Sequence, residues 1–103
     1  MLPPPMRVEF SDDRLDRLEA DPAYTMGLSS SLVRAYRMRL QAIRSAKDER
    51  DFYAQKSLHY EKLKGQGEDY RSMRLNAQYR LVLEVVGPAT DRCLRLLRIG
   101  DYH

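Results

Sequence analysis

Three turn-like segments, Gly65-Gln66-Gly67, Asn76-Ala77-Gln78 and Gly87-Pro88-Ala89-Thr90, cut the second half of the chain into short runs at 58–64, 69–75, 79–86 and 92–99. These runs are rich in Leu, Val, Tyr and Arg. Runs of this length between Gly, Asn and Pro turns read as strands. Loops this short join only antiparallel neighbours, because a parallel connection needs a crossover of about a dozen residues. The second half therefore predicts an antiparallel meander.

The period differs in the first half. Leu32, Val33, Tyr36, Leu40 and Ile43 recur at three- and four-residue spacing, with Arg34, Arg37, Gln41 and Arg44 on the opposite face. That is an amphipathic helix, opened by an N-cap within Ser29-Ser30-Ser31. Leu15 and Leu18 mark a shorter helix before it. Ser11 is its expected N-cap, Asp12 and Asp13 suit the positive end of its dipole, and Asp21-Pro22 ends it. Residues 6–10 read as a strand with Val8 and Phe10 inward, residues 23–28 as a loop, and the polar stretch 48–55 as either a helical extension or a connection. The prolines of MLPPP make residues 1–5 an extended, flexible tail. The expected fold class is α+β in the order β-α-α-β-β-β-β, with two N-terminal helices packed on one face of a twisted antiparallel sheet. At 103 residues and 12.1 kDa there is room for one domain, residues 1–103.

Several function classes are excluded at once. No apolar run approaches the ~20 residues that span a bilayer, and the N-terminus lacks a secretory apolar region. Cys93 is the single cysteine and His59 and His103 are the two histidines, so neither a disulfide framework nor a thiolate metal cluster is expected. The reading is a cytoplasmic domain with no metal, no cofactor and no membrane partner.

Charge narrows the partner. The net charge is +3. Residues 1–55 carry nine basic and nine acidic side chains, whereas residues 56–103 carry nine basic and six acidic, so the excess lies in the second half. Arg34, Arg37, Arg39, Arg44 and Lys47 also follow one another with no acid between. Basic surface on a small domain points to a phosphate-bearing partner, against the simpler reading of solvated charge.

Strand alternation lets the sheet be read face by face. Leu81, Leu83 and Val85 point one way, and Arg80, Val82 and Glu84 the other. Met73 and Leu75 join the first set, which leaves Tyr70, Ser72 and Arg74 on the outer face. A three-residue loop sets Leu75 against Tyr79 and Arg74 against Arg80, and a symmetric next hairpin brings Arg98 near Arg80. Like charges directly opposite are unfavourable. Either an anion occupies the cluster or Glu84, Glu61 and Asp101 neutralise it.

These residues carry a resemblance. Leu58-His59-Tyr60-Glu61-Lys62-Leu63-Lys64-Gly65, Tyr70-Arg71-Ser72-Met73-Arg74-Leu75-Asn76 and Gln78-Tyr79-Arg80-Leu81-Val82 resemble the RelE/ParE toxin superfamily. The final Asp101-Tyr102-His103 resembles the ending of its HigB branch. The link Tyr60-Glu61-Lys62 between the histidine and Leu63-Lys64-Gly65 is longer than the branch usually shows. MLPPP precedes its usual start, so Met6 is the expected initiator, which native mass spectrometry of the endogenous protein checks.

The resemblance implies the toxin of a type II toxin–antitoxin system: a ribosome-dependent endoribonuclease that cuts mRNA in the A site without metal. It also implies a HigA-like helix-turn-helix antitoxin, with operator DNA bound only through the antitoxin complex. Metal-free RNA cleavage by the 2′-OH needs a base, an acid and cations around the phosphorus. Arg74 and Arg80 suit the cationic role, since guanidinium grips phosphate oxygens bidentately. Lys64 adds charge or proton transfer, His103 is the natural acid or base near neutral pH, and Tyr102 offers a stacking surface. His59, Lys62, Tyr70, Arg98 and Asp101 complete an RNA-binding set. Two alternatives stay open: a ParE-like inhibitor of DNA gyrase, and a non-catalytic RNA- or partner-binding module. The basic helix face suits an acidic antitoxin segment or ribosomal RNA equally.

Overall fold

The structure is a computed structural model and describes residues 6–65, 67–88 and 91–101. The tail expected at 1–5 and the pair Tyr102-His103 lie outside the described residues. The element order is β1 (Arg7–Phe10), α1 (Asp13–Ala20), α2 (Ser30–Ser45), α3 (Arg50–Ala54), β2 (Glu61–Lys62), β3 (Tyr70–Arg74), β4 (Tyr79–Val86) and β5 (Cys93–Asp101). The expected order thus holds with one added helix, and the five strands form a single sheet ordered β1-β5-β4-β3-β2.

The sheet is mixed. From β2 to β5 every pairing is antiparallel, as the short turns require, but β1 runs parallel to β5, with Arg7 opposite Cys93 and Phe10 opposite Leu96. The turn argument does not reach β1, whose connection to β5 is the rest of the domain.

At the start of α1, Asp12 rather than Ser11 is the N-cap. Its carboxylate accepts from the Arg14 N–H at 2.9 Å, while the Ser11 N–H is taken by the Leu96 carbonyl at 2.9 Å and so extends the β1–β5 ladder. Ser29 caps α2 by accepting from the Leu32 N–H at 3.2 Å. The five apolar positions expected in α2 are its buried ones. Tyr36 is fully buried and donates its hydroxyl to the Leu15 carbonyl at 2.7 Å, locking α2 to α1.

Two of the arginines on the polar face of α2 are engaged by partners within the domain. Arg37 donates to the carbonyls of Leu18, Asp21 and Tyr24 at 3.0–3.1 Å, satisfying acceptors at the end of α1 and in the loop after it. Arg44 makes a two-pronged pair with Glu19 at 2.6 and 2.7 Å.

The run 58–64 does not form the strand its composition predicts. Phe52 of α3 and Leu58 of a 3-10 turn at Lys56–Leu58 are both buried, which winds the backbone through helical geometry instead. His59 closes that turn in the left-handed region at φ 46°, and only Glu61–Lys62 pairs as strand. Tyr60 turns inward, with its hydroxyl on Glu49 at 2.7 Å and its ring against Phe52 and Tyr53. At the turn into β5, Gly87 has φ +90°, and a Cβ there would meet the Asp91 carbonyl oxygen at 2.6 Å. Only glycine fits.

Candidate active site

The outer face of the sheet, away from the helices, divides into two halves. Towards β1, Arg95 bridges Glu9 and Glu84 at 3.3 and 3.4 Å, so charges alternate across three strands with one negative charge in excess. Towards the 76–78 turn the balance changes. Arg74 and Arg80 sit directly opposite each other across β3 and β4, as the three-residue loop predicts.

Together with His59, Glu61, Asn76 and Ala77 they line a cleft of about 280 Å³. Arg80 is 8% exposed, an unusual burial for a guanidinium. Its side chain donates to the Ser72 hydroxyl at 2.7 Å and to Glu61 at 3.2 Å. Glu61 belongs to the edge strand β2 and remains about half exposed, so the arginine is fixed while its acid lies at the mouth. Arg74 is half-buried, and its Nε donates to the Asn76 carbonyl at 3.3 Å.

The turn that carries Arg74 is tightly built. The Asn76 side chain accepts from the N–H groups of Gln78 and Tyr79 at 2.8 and 2.7 Å, and the Leu75 N–H reaches the Tyr79 carbonyl at 3.0 Å. His59 reaches the rim because its left-handed backbone turns the chain between the buried Leu58 and Tyr60. The cleft thus offers two guanidiniums, an imidazole and a carboxylate within one hollow. That set can bind a phosphodiester and move a proton beside it.

The chain's relatives share this frame. A family model described as the RelE-like toxin of type II toxin–antitoxin system HigB matches residues 8–93. The chain belongs to this RelE-like, HigB-type toxin family. It is therefore the toxin of a type II system, a class whose members pair with an antitoxin. Among solved structures it is similar to the YoeB/ParE toxin from Agrobacterium tumefaciens at 17% identity and a TM-score of 0.54, covering 95% of this chain and 100% of that one. It is similar to the YoeB-YefM complex from Staphylococcus aureus at 21% identity and a TM-score of 0.57, covering 95% and 97%. The YoeB dimer from the same organism gives 19% identity and a TM-score of 0.52, again over 95% and 97%. At these identities the likeness is one of fold. No curated protein sequence matches the chain.

Within this HigB-type chain the other expected site residues are spread out. Arg98 falls opposite Val82, not Arg80: the hairpin pairs Val86 with Cys93, a register that alone would set Arg98 against Leu81 on the inner face, and the bulge between Val82 and Leu83 returns it to the outer face with Gly100 opposite Arg80. Arg98 stays exposed on the same face, one strand pair away. Asp101 lies opposite Tyr79 and accepts from the Gln78 side-chain amide at 3.3 Å. Tyr70 is half-buried at the far end of β3, opposite Glu84. Lys64 is exposed in the turn after β2 and lines a separate hollow of about 560 Å³ with Lys62, whose ammonium is paired to Glu68 at 2.7 Å. Lys64 is thus not brought into the arginine cleft. Tyr102 and His103 lie outside the described residues.

Of the three acids expected to neutralise the cluster, Glu61 meets Arg80, whereas Glu84 is taken by Arg95. The sequence reading did not place Ser72 and Asn76 in the site. Ser72 was visible as an outer-face residue between Tyr70 and Arg74, and Asn76 as the first residue of a tight turn.

Proposed function

We propose that this toxin is a ribosome-dependent endoribonuclease that cuts mRNA in the A site without a metal ion, acts in the cytoplasm and is neutralised by a HigA-like antitoxin. The observation that carries the reading is the Arg74–Arg80 pair, set face to face in a cleft that also holds His59 and Glu61. Two cations opposed at one strand position are unfavourable alone and favourable around a phosphate.

In the proposed reaction the ribose 2′-oxygen attacks the adjacent phosphorus, an O–P bond forms, and the bond from phosphorus to the leaving 5′-oxygen breaks. Arg74 and Arg80 hold the non-bridging oxygens as negative charge builds on them. His103 exchanges the proton with the 2′-hydroxyl or the leaving oxygen, and Tyr102 stacks on a base. His59, Lys62, Tyr70, Arg98 and Asp101 extend the RNA contact along the outer face and its rim, and Lys64 adds charge beyond the β2 edge.

The test uses programmed ribosomes, a defined mRNA and purified toxin, with cleavage mapped by primer extension and a parallel protein lacking Tyr102 and His103. Cuts confined to the A-site codon, dependent on ribosomes and lost on truncation, are expected. Cuts that survive truncation would keep the nuclease and move proton transfer to His59 or Glu61, the titratable groups beside the two arginines. No cuts from folded protein would overturn the reading in favour of binding without chemistry, as in gyrase inhibition.

A further inference from the structure

Arg39 is a half-buried cation that serves the cleft from outside it. It projects from α2 and makes one hydrogen bond, from its Nε to the main-chain carbonyl of Arg74 at 2.7 Å. Among the described residues no carboxylate pairs with it, whereas Arg44 has Glu19, Arg71 has Glu49 and Arg80 has Glu61. Burial pulls the Arg39 guanidinium below its ordinary proton affinity. A charge half out of water with only a neutral acceptor is costly to keep. Its one hydrogen bond among the described residues falls on the last residue of β3, where the chain enters the Asn76 turn.

That carbonyl belongs to the residue whose side chain lines the cleft on the other face. The Arg74 backbone is gripped from the helix side by Arg39, while its Nε is held from the turn side by the Asn76 carbonyl. We propose that Arg39 is a positioning residue for Arg74: by clamping the β3 end it fixes where the Arg74 guanidinium meets a phosphate. The inference rests on reading the cleft as a phosphate-binding, mRNA-cutting site. It adds that α2, a helix that does not line the cleft, sets the geometry of one of its two cations.

A double-mutant cycle separates positioning from general support. Single-turnover cleavage on programmed ribosomes would be measured for wild type, Arg39→Ala, Arg39→Lys, Arg74→Ala and the Arg39→Ala/Arg74→Ala double variant. Arg39→Ala is expected to slow cleavage by about 10- to 100-fold, the scale of an ångström-sized misplacement. Arg39→Lys, which keeps a donor, is expected to recover most of that loss. In the Arg74→Ala background the Arg39 substitution is expected to have no further effect. An equal slowing in both backgrounds, or none in either, would overturn the proposal. Where Arg39→Ala does not fold, Arg39→Gln takes its place in the cycle.

A second readout needs no ribosome. Inorganic phosphate would be titrated while the arginine Nε–H signals are followed by NMR. Arg39→Ala is expected to weaken the phosphate response of Arg74 and to leave that of Arg80 intact. Parallel weakening at both, or at neither, would overturn the positioning role. If wild type fails to cut mRNA, the nuclease reading falls by itself and the phosphate titration still decides the role of Arg39.

Discussion

Arg74 and Arg80 face the same cleft but are anchored differently, and the difference is measurable. Arg80 is nearly buried and serves both Ser72 and Glu61. Arg80→Ala is expected to abolish cleavage and also to cost about 1–3 kcal/mol of stability, since it strands a buried hydroxyl. Arg74→Ala is expected to slow cleavage strongly while leaving a measurable rate, with a much smaller change in Tm, because its guanidinium makes one long hydrogen bond at the surface. Thermal unfolding run beside the cleavage assay distinguishes the two. Tyr36 and Tyr60 give a second expectation. Burial raises both phenols well above the ordinary value near 10, and for Tyr60 the Glu49 carboxylate adds to it. The folded state then keeps protons that the unfolded chain releases, so this contribution to stability is complete below about pH 10 and is lost as pH rises above it. A phenolate absorbance titration should show a lagging fraction of the seven tyrosines that ionises only on unfolding, and Tyr36→Phe with Tyr60→Phe should remove it. At this scale the sequence was legible where local geometry decides. The Arg74–Arg80 pairing follows from a three-residue turn, whereas the place of Arg98 depends on the β4–β5 hairpin register and on a bulge, neither of which a residue type announces.

Among the elements, α2 was the most legible because its five buried positions repeat over several turns. Its N-cap is equally clear: Ser29→Ala is expected to lower stability by about 1 kcal/mol, seen as a fall in Tm of roughly 4–8 °C for a domain of this size. A chemical denaturation series on the same variant should show a shifted midpoint with an unchanged slope. The short helix α3 was not legible, since five residues are too few to display a period and Phe52 is its one buried anchor. The same brevity misled the reading of 58–64, where Leu58 and Tyr60 look like alternate strand positions. They are in fact the inward residues of a 3-10 turn and of the extended segment that follows the left-handed His59. That kink, unreadable from a lone histidine, is what carries His59 to the rim of the cleft.

For the molecule as a whole, the useful quantity is how charge is shared over the outer face. The Glu9–Arg95–Glu84 chain leaves one half with one negative charge in excess, so RNA affinity should come from the other. Binding to a short single-stranded RNA is expected to weaken with salt, and Arg74→Ala should reduce the slope of log affinity against log salt by about 0.7, the contribution of one phosphate contact. Arg95→Ala should leave that slope nearly unchanged, and fluorescence anisotropy at several salt concentrations compares them. The parallel β1–β5 edge was the largest feature hidden from the sequence, because turn lengths constrain only neighbours along the chain. It joins residues 86 positions apart, such as Glu9 and Arg95. It also makes β5 an inner strand, held between β1 and β4. During synthesis β1 to β4 leave the ribosome before β5, and until that stretch emerges β1 has no neighbour in the sheet while β2, β3 and β4 can already pair. β5 is therefore the strand that closes the sheet, and a nascent chain paused before it holds a β2–β3–β4 meander beside an unpaired β1.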